Sequence, residues 1–373
     1  PEPEFKLEPE RVLKRLRDKV GSLEMVPVPI HVAPMMKITT PAFRHLCWLL
    51  SPRAVLYSEM IVDRSLTMGD DLTRSRALRR YSHPEHSVAQ IGGRDPDHLS
   101  QAAQHCQHAG YNEVNLNMGC PSSAVQHGRF GACLMLDKSI QQSVQAVVDS
   151  VQVPISIKCR IGVDGQDSYE FLSEFIDRIA SAGVRRFVVH ARKALLAVNP
   201  KHNRSVPPLR HDVVRRLAGD YPHLDIVING EIATLADVRA SGDLMKGVML
   251  GRSIRDNPFV LWKLEHSVSE SDSNDFIAER LEAAIKYGLF VYDQEQIGSE
   301  NRRSLLHPLQ NLFSSTPVSS RWKRSLMLDH DDPRSAYHIV MDAIGMVNTF
   351  LSQHDHNHQP VVLPTTTPAH VVQ

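Results

Sequence analysis

Cys120 stands at the end of the stretch EVNLNMGCP, where a strand-like pattern stops abruptly at Gly-Cys-Pro. Pro121 stiffens the turn behind it, and the polar loop that follows carries Gly128, Gly131 and a second thiol, Cys133. A structural cysteine belongs in a core; this one is placed to meet something. Lys158 lies inside the apolar run PISIKCRIG. A buried lysine needs a partner, so its ammonium serves either an internal carboxylate or negative charge on a bound molecule. Two later runs end in glycine turns, Asn229-Gly230-Glu231 and Gly251-Arg252. Backbone N–H groups at such turns can point at an anion, and Arg252 adds charge. Gln90, ahead of Gly92 and Gly93, and His190, ahead of Arg192 and Lys193, mark two further run ends of polar character.

These residues sit on short apolar runs separated by helical patterns. The runs cover 30–35, 54–60, 87–93, 113–119, 154–162, 186–192, 225–232 and 247–254. Their Val and Ile content, read as lacking polar alternation, predicts parallel strands buried on both faces. Between them the helical period appears, as in Phe171, Leu172, Phe175, Ile176 and Ile179 before Ala182-Gly183. Eight such β-α units predict an α/β fold, a (β/α)8 TIM barrel over 28–258 with its active site at the carboxyl ends of the strands. A doubly wound open sheet is the alternative, and the lack of an early G-x-G-x-x-G disfavours it. Helical spacing from 259 to 352 predicts a smaller C-terminal helical domain. Residues 1–27 read as an N-terminal extension, and the His-, Pro- and Thr-rich residues 353–373 as a disordered tail. The HDHNH within that tail has the composition of an adventitious metal binder, and no functional metal is expected.

Forty-two basic and 42 acidic residues give a formal net charge of zero, but the charge is unevenly placed. Residues 185–216 hold nine Lys or Arg against the one acid Asp212, and residues 300–324 hold five against Glu300. Residues 265–294 lean acidic. Such blocks fit a polyanionic partner docked on one face, or basic residues spread over solvated helices. No apolar run approaches the roughly 18 residues of a membrane span. The first residues lack the apolar core of a secretory signal. Five cysteines without a C-x-x-C pair argue against a disulfide framework and a cysteine-rich zinc site. A monomer in the cytoplasm is expected, or in an organellar matrix or stroma if an upstream transit peptide has been removed.

The segments NLNMGCPSSAVQHGRFGACLM, HARKALL…NRSVPPL, PHLDIVINGEI and GVMLGRS resemble the tRNA-dihydrouridine synthase family, most closely its DusA-like branch acting at positions 20 and 20a. The resemblance runs from about residue 28 to 324. It implies an FMN-binding barrel with a helical tRNA-binding domain, which reduces uridines in the tRNA D-loop with NADPH as reductant. Carried over, it sets Pro34, Met35 and Met36 against the flavin and Gln90 at the ring edge, with Lys158 and His190 as further contacts. Asn229, Gly230, Glu231, Gly251 and Arg252 would surround the phosphate, and Cys120 becomes the catalytic acid. An unperturbed thiol, with a pKa near 8.5, is mostly protonated at neutral pH and able to supply the proton. The loop with Gly128 and Gly131 would open and close around a bulky substrate. Asn117, Lys193, Asn203 and Arg204 on the barrel, and Arg321 and Arg324 on the helical domain, are the candidate tRNA contacts. The sequence departs from the family at Glu231, where a glycine is usual, and in KITTPAFRHLC after Met36. A carboxylate beside a phosphate is unfavourable, so Glu231 either turns outward or weakens FMN binding.

Two other readings compete. An FMN barrel acting on a small molecule, resembling dihydroorotate dehydrogenase, explains Lys158 and the phosphate turns but not the basic helical domain. A tRNA-binding protein without redox activity draws support from Glu231. Binding of tRNA separates the first, and the yellow colour of bound flavin the second.

Overall fold

A computed structural model describes residues 26, 28–81, 86–199, 201–269, 275–298, 300–327 and 332–354. The expected N-terminal extension, apart from Val26, and the tail beyond 354 with its histidine cluster lie outside the described residues. Eight strands form a closed parallel barrel in chain order: β1 Ile30–Val32, β2 Val55–Val62, β3 Ser87–Gly92, β4 Glu113–Met118, β5 Ile155–Arg160, β6 Arg186–His190, β7 Asp225–Asn229 and β8 Gly247–Leu250. Each overlaps one of the eight apolar runs. β8 closes onto β1 with Ile30 opposite Val248 and Val32 opposite Leu250.

The strands are buried on both faces, but the expectation that they lack polar alternation does not hold. On β4 the alternate residues Val114, Leu116 and Met118 join the core beneath the helices, as do Ile155, Ile157 and Cys159 on β5. The other face points inward. It carries Glu113, Asn115 and Asn117 on β4 and Ser156, Lys158 and Arg160 on β5. A small apolar plug of Ala33, Tyr57, Val88, Val188, Val227 and Met249 fills the rest of the lumen. The interior is therefore polar on one side.

Helices form where the apolar stripe and caps agree. In Tyr169–Ala180 the Ser168 side chain accepts from the Phe171 N–H, Leu172, Phe175, Ile176 and Ile179 are buried, and Gly183 at φ +93° ends the segment. Burying each such side chain contributes about 1.5–3 kcal/mol. After β8 the chain is helical, chiefly in Ile277–Ile297, Ser319–Ser325 and Ala336–His354. Trp322 anchors this part: it has no exposed surface, donates its indole N–H to the Leu309 carbonyl at 2.7 Å and packs on Phe313. The Asn311 amide donates to the Arg255 carbonyl at 2.8 Å and ties the helices to the barrel behind β8. Among the described residues no helix is long and apolar enough to cross a membrane.

Candidate active site

Cys120 follows β4 by two residues, half-buried at the barrel mouth, with Sγ 3.4 Å from the Ser122 hydroxyl. Its backbone is held from both sides. The Asn117 side-chain oxygen accepts the N–H groups of Gly119 at 3.2 Å and Cys120 at 3.0 Å. The Cys120 carbonyl accepts from Ala132 at 2.9 Å, and the Arg160 guanidinium donates to the Gly119 carbonyl at 2.9 Å. Gly131 makes this return possible. Its φ is +80°, and a Cβ there would lie 2.5 Å from the Cys120 oxygen and 2.4 Å from Val125. Gly131→Ala should therefore cost about 2–4 kcal/mol, the sum of left-handed strain and overpacking. A denaturation midpoint equal to wild type would show that the loop is not packed this way.

The remaining thiols pack into the structure. Cys47, Cys106 and Cys159 are buried, and burial pushes the Cys106 and Cys159 thiols up to about 12. Cys133 donates to the Phe130 carbonyl at 3.2 Å and steadies the loop.

Around the mouth of β5–β8 the side chains are mostly cationic. Lys158 reaches Asn229, donating to its Oδ1 at 3.1 Å, while Asn229 donates to the Met249 carbonyl at 2.8 Å. Among the described residues no carboxylate pairs with Lys158. Burial first, and then Arg160, pull its ammonium down to about 8. His190 is held well below its usual range by burial and by Arg160, Lys158, Arg192 and Arg252, so it is neutral at pH 7. Arg192 is buried; one arm donates to the Pro207 carbonyl, another pairs with Glu231 at 2.8 Å, and its Nε has no acceptor. Arg252 pairs with the same Glu231 oxygen at 3.2 Å.

Glu231 holds this corner in a left-handed conformation, φ +53°, beside Gly230 at φ +134°. Such a backbone costs a non-glycine residue of order 1 kcal/mol. Its carboxylate neither turns away nor is idle: it bridges the two arginines. The corner has the chemistry of an anion site with a side-chain anion already in it. The Gly230 carbonyl lies 2.7 Å from His211 Nε2. On the β1 side, Pro34 and Met35 are half-buried, and Met35 faces Gly251, whose Cβ position lies 3.7 Å from its sulfur. Met36, expected beside them, is 58% exposed.

Gln90 is not at a strand end but inside β3, only 1% exposed, with its side chain in the lumen. A bulge in β2 after Tyr57 frees the Ser58 hydroxyl to accept the Gln90 N–H at 2.9 Å. The Gln90 amide donates to Asn115 at 2.8 Å and accepts from Asn117 at 2.9 Å. Asn115 in turn donates to Ser156 at 2.8 Å, and Ser156 to Glu113 at 2.5 Å. Arg186 holds the other Glu113 oxygen and reaches Asp225 at 3.3 Å. Glu113, Ser156 and Arg192 were missed as site residues. For Glu113 and Ser156 the signal was the alternation E-x-N-x-N and S-x-K-x-R on β4 and β5; for Arg192 it was the basic run end after His190.

The candidate RNA contacts fall into two groups. Asn117 is committed to the Cys120 loop. Asn203 has no exposed surface, and its amide serves the backbone of Leu195 and Val198. It shapes the loop after β6 instead of facing outward. Lys193 pairs with Asp167 at 2.6 Å. Arg204 stands at the rim beside Arg252 and Arg255, and burial with those two cations lowers its pKa. Arg321 and Arg324 are exposed on Ser319–Ser325, with Arg321 stacked 4.6 Å over Phe350. Lys323 of the same helix acts on Asp256, so this helix borders the Arg252–Asp256 turn of the mouth.

A comparison with known families matches residues 31–343 to the family described as Dihydrouridine synthase (Dus). Curated relatives cover most of the chain. The tRNA-dihydrouridine(20/20a) synthase of Shewanella oneidensis is 36% identical over 90% of this chain and 99% of its own length. Enzymes of the same name from Pseudomonas aeruginosa and Escherichia coli are 39% and 38% identical over 80% and 85% of this chain, and 89% and 90% of their own lengths.

Proposed function

The chain belongs to the dihydrouridine synthase family, and from that premise we propose that it reduces uridines 20 and 20a of tRNA to 5,6-dihydrouridine, with FMN bound in the barrel mouth and NADPH as reductant. The observation that carries the reading is a thiol whose backbone is held at the end of β4, within electrostatic reach of an ammonium that has no carboxylate partner among the described residues.

The mouth suits FMN, which is anionic at its phosphate and, when reduced, at its ring. Among the described residues Lys158 is a half-buried cation short of an anion, and Arg192 Nε is a buried donor short of an acceptor. Pro34, Met35, Gln90 and Lys158 would hold the ring. His190, Asn229, Gly230, Glu231, Gly251 and Arg252 would hold the phosphate end, where an arriving anion replaces the Glu231 carboxylate on Arg252. Bound FMN, once reduced by NADPH, would supply the hydride for C6 of the uracil. Cys120 supplies the proton for C5, and its thiolate then regains a proton from solvent. Asn117 and Arg160 keep the thiol in place, the loop beneath it packs out water, and neutral His190 leaves the positive charge to Lys158 and the arginines.

A uridine reaches this mouth only when taken out of its stack, so the surrounding RNA must be held by its backbone. Arg204, Arg321 and Arg324, which form no ion pair among the described residues, present guanidinium groups along one side of the mouth and the adjoining helix. Arg321→Glu with Arg324→Glu should flatten the slope of log affinity against log salt by about one to two units, since each lost phosphate contact removes roughly 0.7–0.9. The lost stacking on Phe350 costs about 0.5–1 kcal/mol of stability. Titration of labelled tRNA at several salt concentrations reads this; equal slopes would place the RNA elsewhere.

The reading as a whole is tested by mapping dihydrouridine in tRNA from cells lacking the protein. The modification should be absent at 20 and 20a and restored by purified protein with FMN and NADPH. Its persistence at both positions would refute the assignment.

A further inference from the structure

We propose that Glu113 is a positioning residue for the Cys120 proton donor, acting through a one-way chain of hydrogen bonds along the barrel interior; this rests on the role given to Cys120 above. The chain runs from the first residue of β4 to the loop beyond its last. A carboxylate only accepts, and Arg186 occupies one of the Glu113 oxygens. Ser156 must therefore spend its single proton on Glu113, at 2.5 Å, which leaves its oxygen to accept from Asn115. Asn115 then has only its oxygen to offer Gln90, and Gln90 only its oxygen to offer Asn117. Asn117 is left with its oxygen facing the N–H groups of Gly119 and Cys120. Each link has one allowed sense, fixed at the far end by the charged residue and at the near end by the two backbone N–H donors.

The chain is more than packing because its polarity can be reversed without changing its shape. Glu113→Gln keeps the volume but lets Arg186 hold the amide oxygen while the –NH₂ faces Ser156. Ser156 then accepts, its proton goes to Asn115, and Asn115, Gln90 and Asn117 each turn over. The last of them presents –NH₂ to two N–H donors, and the loop loses both anchors.

Hydrogen–deuterium exchange of the protein without FMN or tRNA should show the Gly119 and Cys120 amides exchanging at least about fivefold faster in Glu113→Gln, the factor that corresponds to about 1 kcal/mol for a closed hydrogen bond. With FMN bound, kcat for uridine reduction should fall about 10²-fold, the scale of a catalytic group misplaced by about 1 Å. The KM for tRNA should not move. Ser156→Ala cuts the chain, so Glu113→Gln added to it should have no further effect on exchange or kcat. Wild-type exchange in Glu113→Gln, or an equal drop on the Ser156→Ala background, would overturn the proposal. If Glu113→Gln does not fold, Ser156→Ala alone decides: faster exchange at the two amides with unchanged KM is expected, and unchanged exchange refutes it. Faster exchange in a protein that never reduces tRNA would count against the function assigned above and not against the chain.

Discussion

Cys120→Ala should bind FMN and accept electrons from NADPH as the wild type does, yet reduce uridine in tRNA about 10²–10⁴-fold more slowly, the usual contribution of a positioned general acid. The selectivity follows from where the thiol sits. Its contacts are to its own loop, through Ser122, Asn117 and Ala132. The cations that suit the cofactor are on β5 and just after β6 and β8. Removing Sγ leaves that set intact, and alanine keeps the backbone bonds that shape the loop. Single-turnover measurement of dihydrouridine formation from pre-reduced enzyme isolates the step. A wild-type rate there would mean that another group gives the proton.

Lys158→Met should weaken FMN binding by about 10²-fold, in line with the 2–5 kcal/mol lost when one partner of a desolvated charge pair is removed. Folding stability at pH 7 should change little. The buried ammonium titrates at about 8 against 10.5 in the unfolded chain. Between those values the unfolded chain carries the extra proton, so stability rises with pH through that window, and below about 8 the full burial penalty, roughly 3 kcal/mol, is present. Methionine relieves that penalty but strands the Asn229 oxygen, at about 1–3 kcal/mol. The two nearly cancel. In the wild type an anionic ligand favours the protonated amine, so FMN affinity should decline as pH rises through about 8, and the decline should vanish in Lys158→Met. Flavin fluorescence titrations from pH 6 to 10 measure both effects. A variant with wild-type affinity and pH profile would remove Lys158 from the site.

The sequence made the barrel legible because each strand keeps an unbroken apolar face toward the helices, and eight such runs at β-α spacing leave few alternatives. The lumen was harder to see. E-x-N-x-N and S-x-K-x-R alternate openly, but alternation usually marks a solvent face, and only closure of the sheet turns that face inward. Lys158 stood out as a charge in an apolar run; its partner did not, because Asn229 lies 71 positions away. Asn203 read as a surface amide in a basic loop. In the structure it satisfies that loop's own backbone, a demand set by the path of the chain and not by local composition. Trp322, between Arg321 and Lys323, is the buried pin that fixes this helix, with Arg321 and Arg324 turned outward.

Glu231 gives the mouth a built-in competitor. A carboxylate tethered by a short side chain to its own two arginines acts at a local concentration of order millimolar or above, and unlike a free ion it is never diluted away. Small anions at ordinary cellular levels therefore gain little by displacing it. A ligand wins the corner only if it also holds on elsewhere, through Lys158 and the surfaces of Pro34 and Met35. The strained residue thus acts as a selectivity filter, favouring molecules long enough to grip both ends of the mouth over those that bring charge alone.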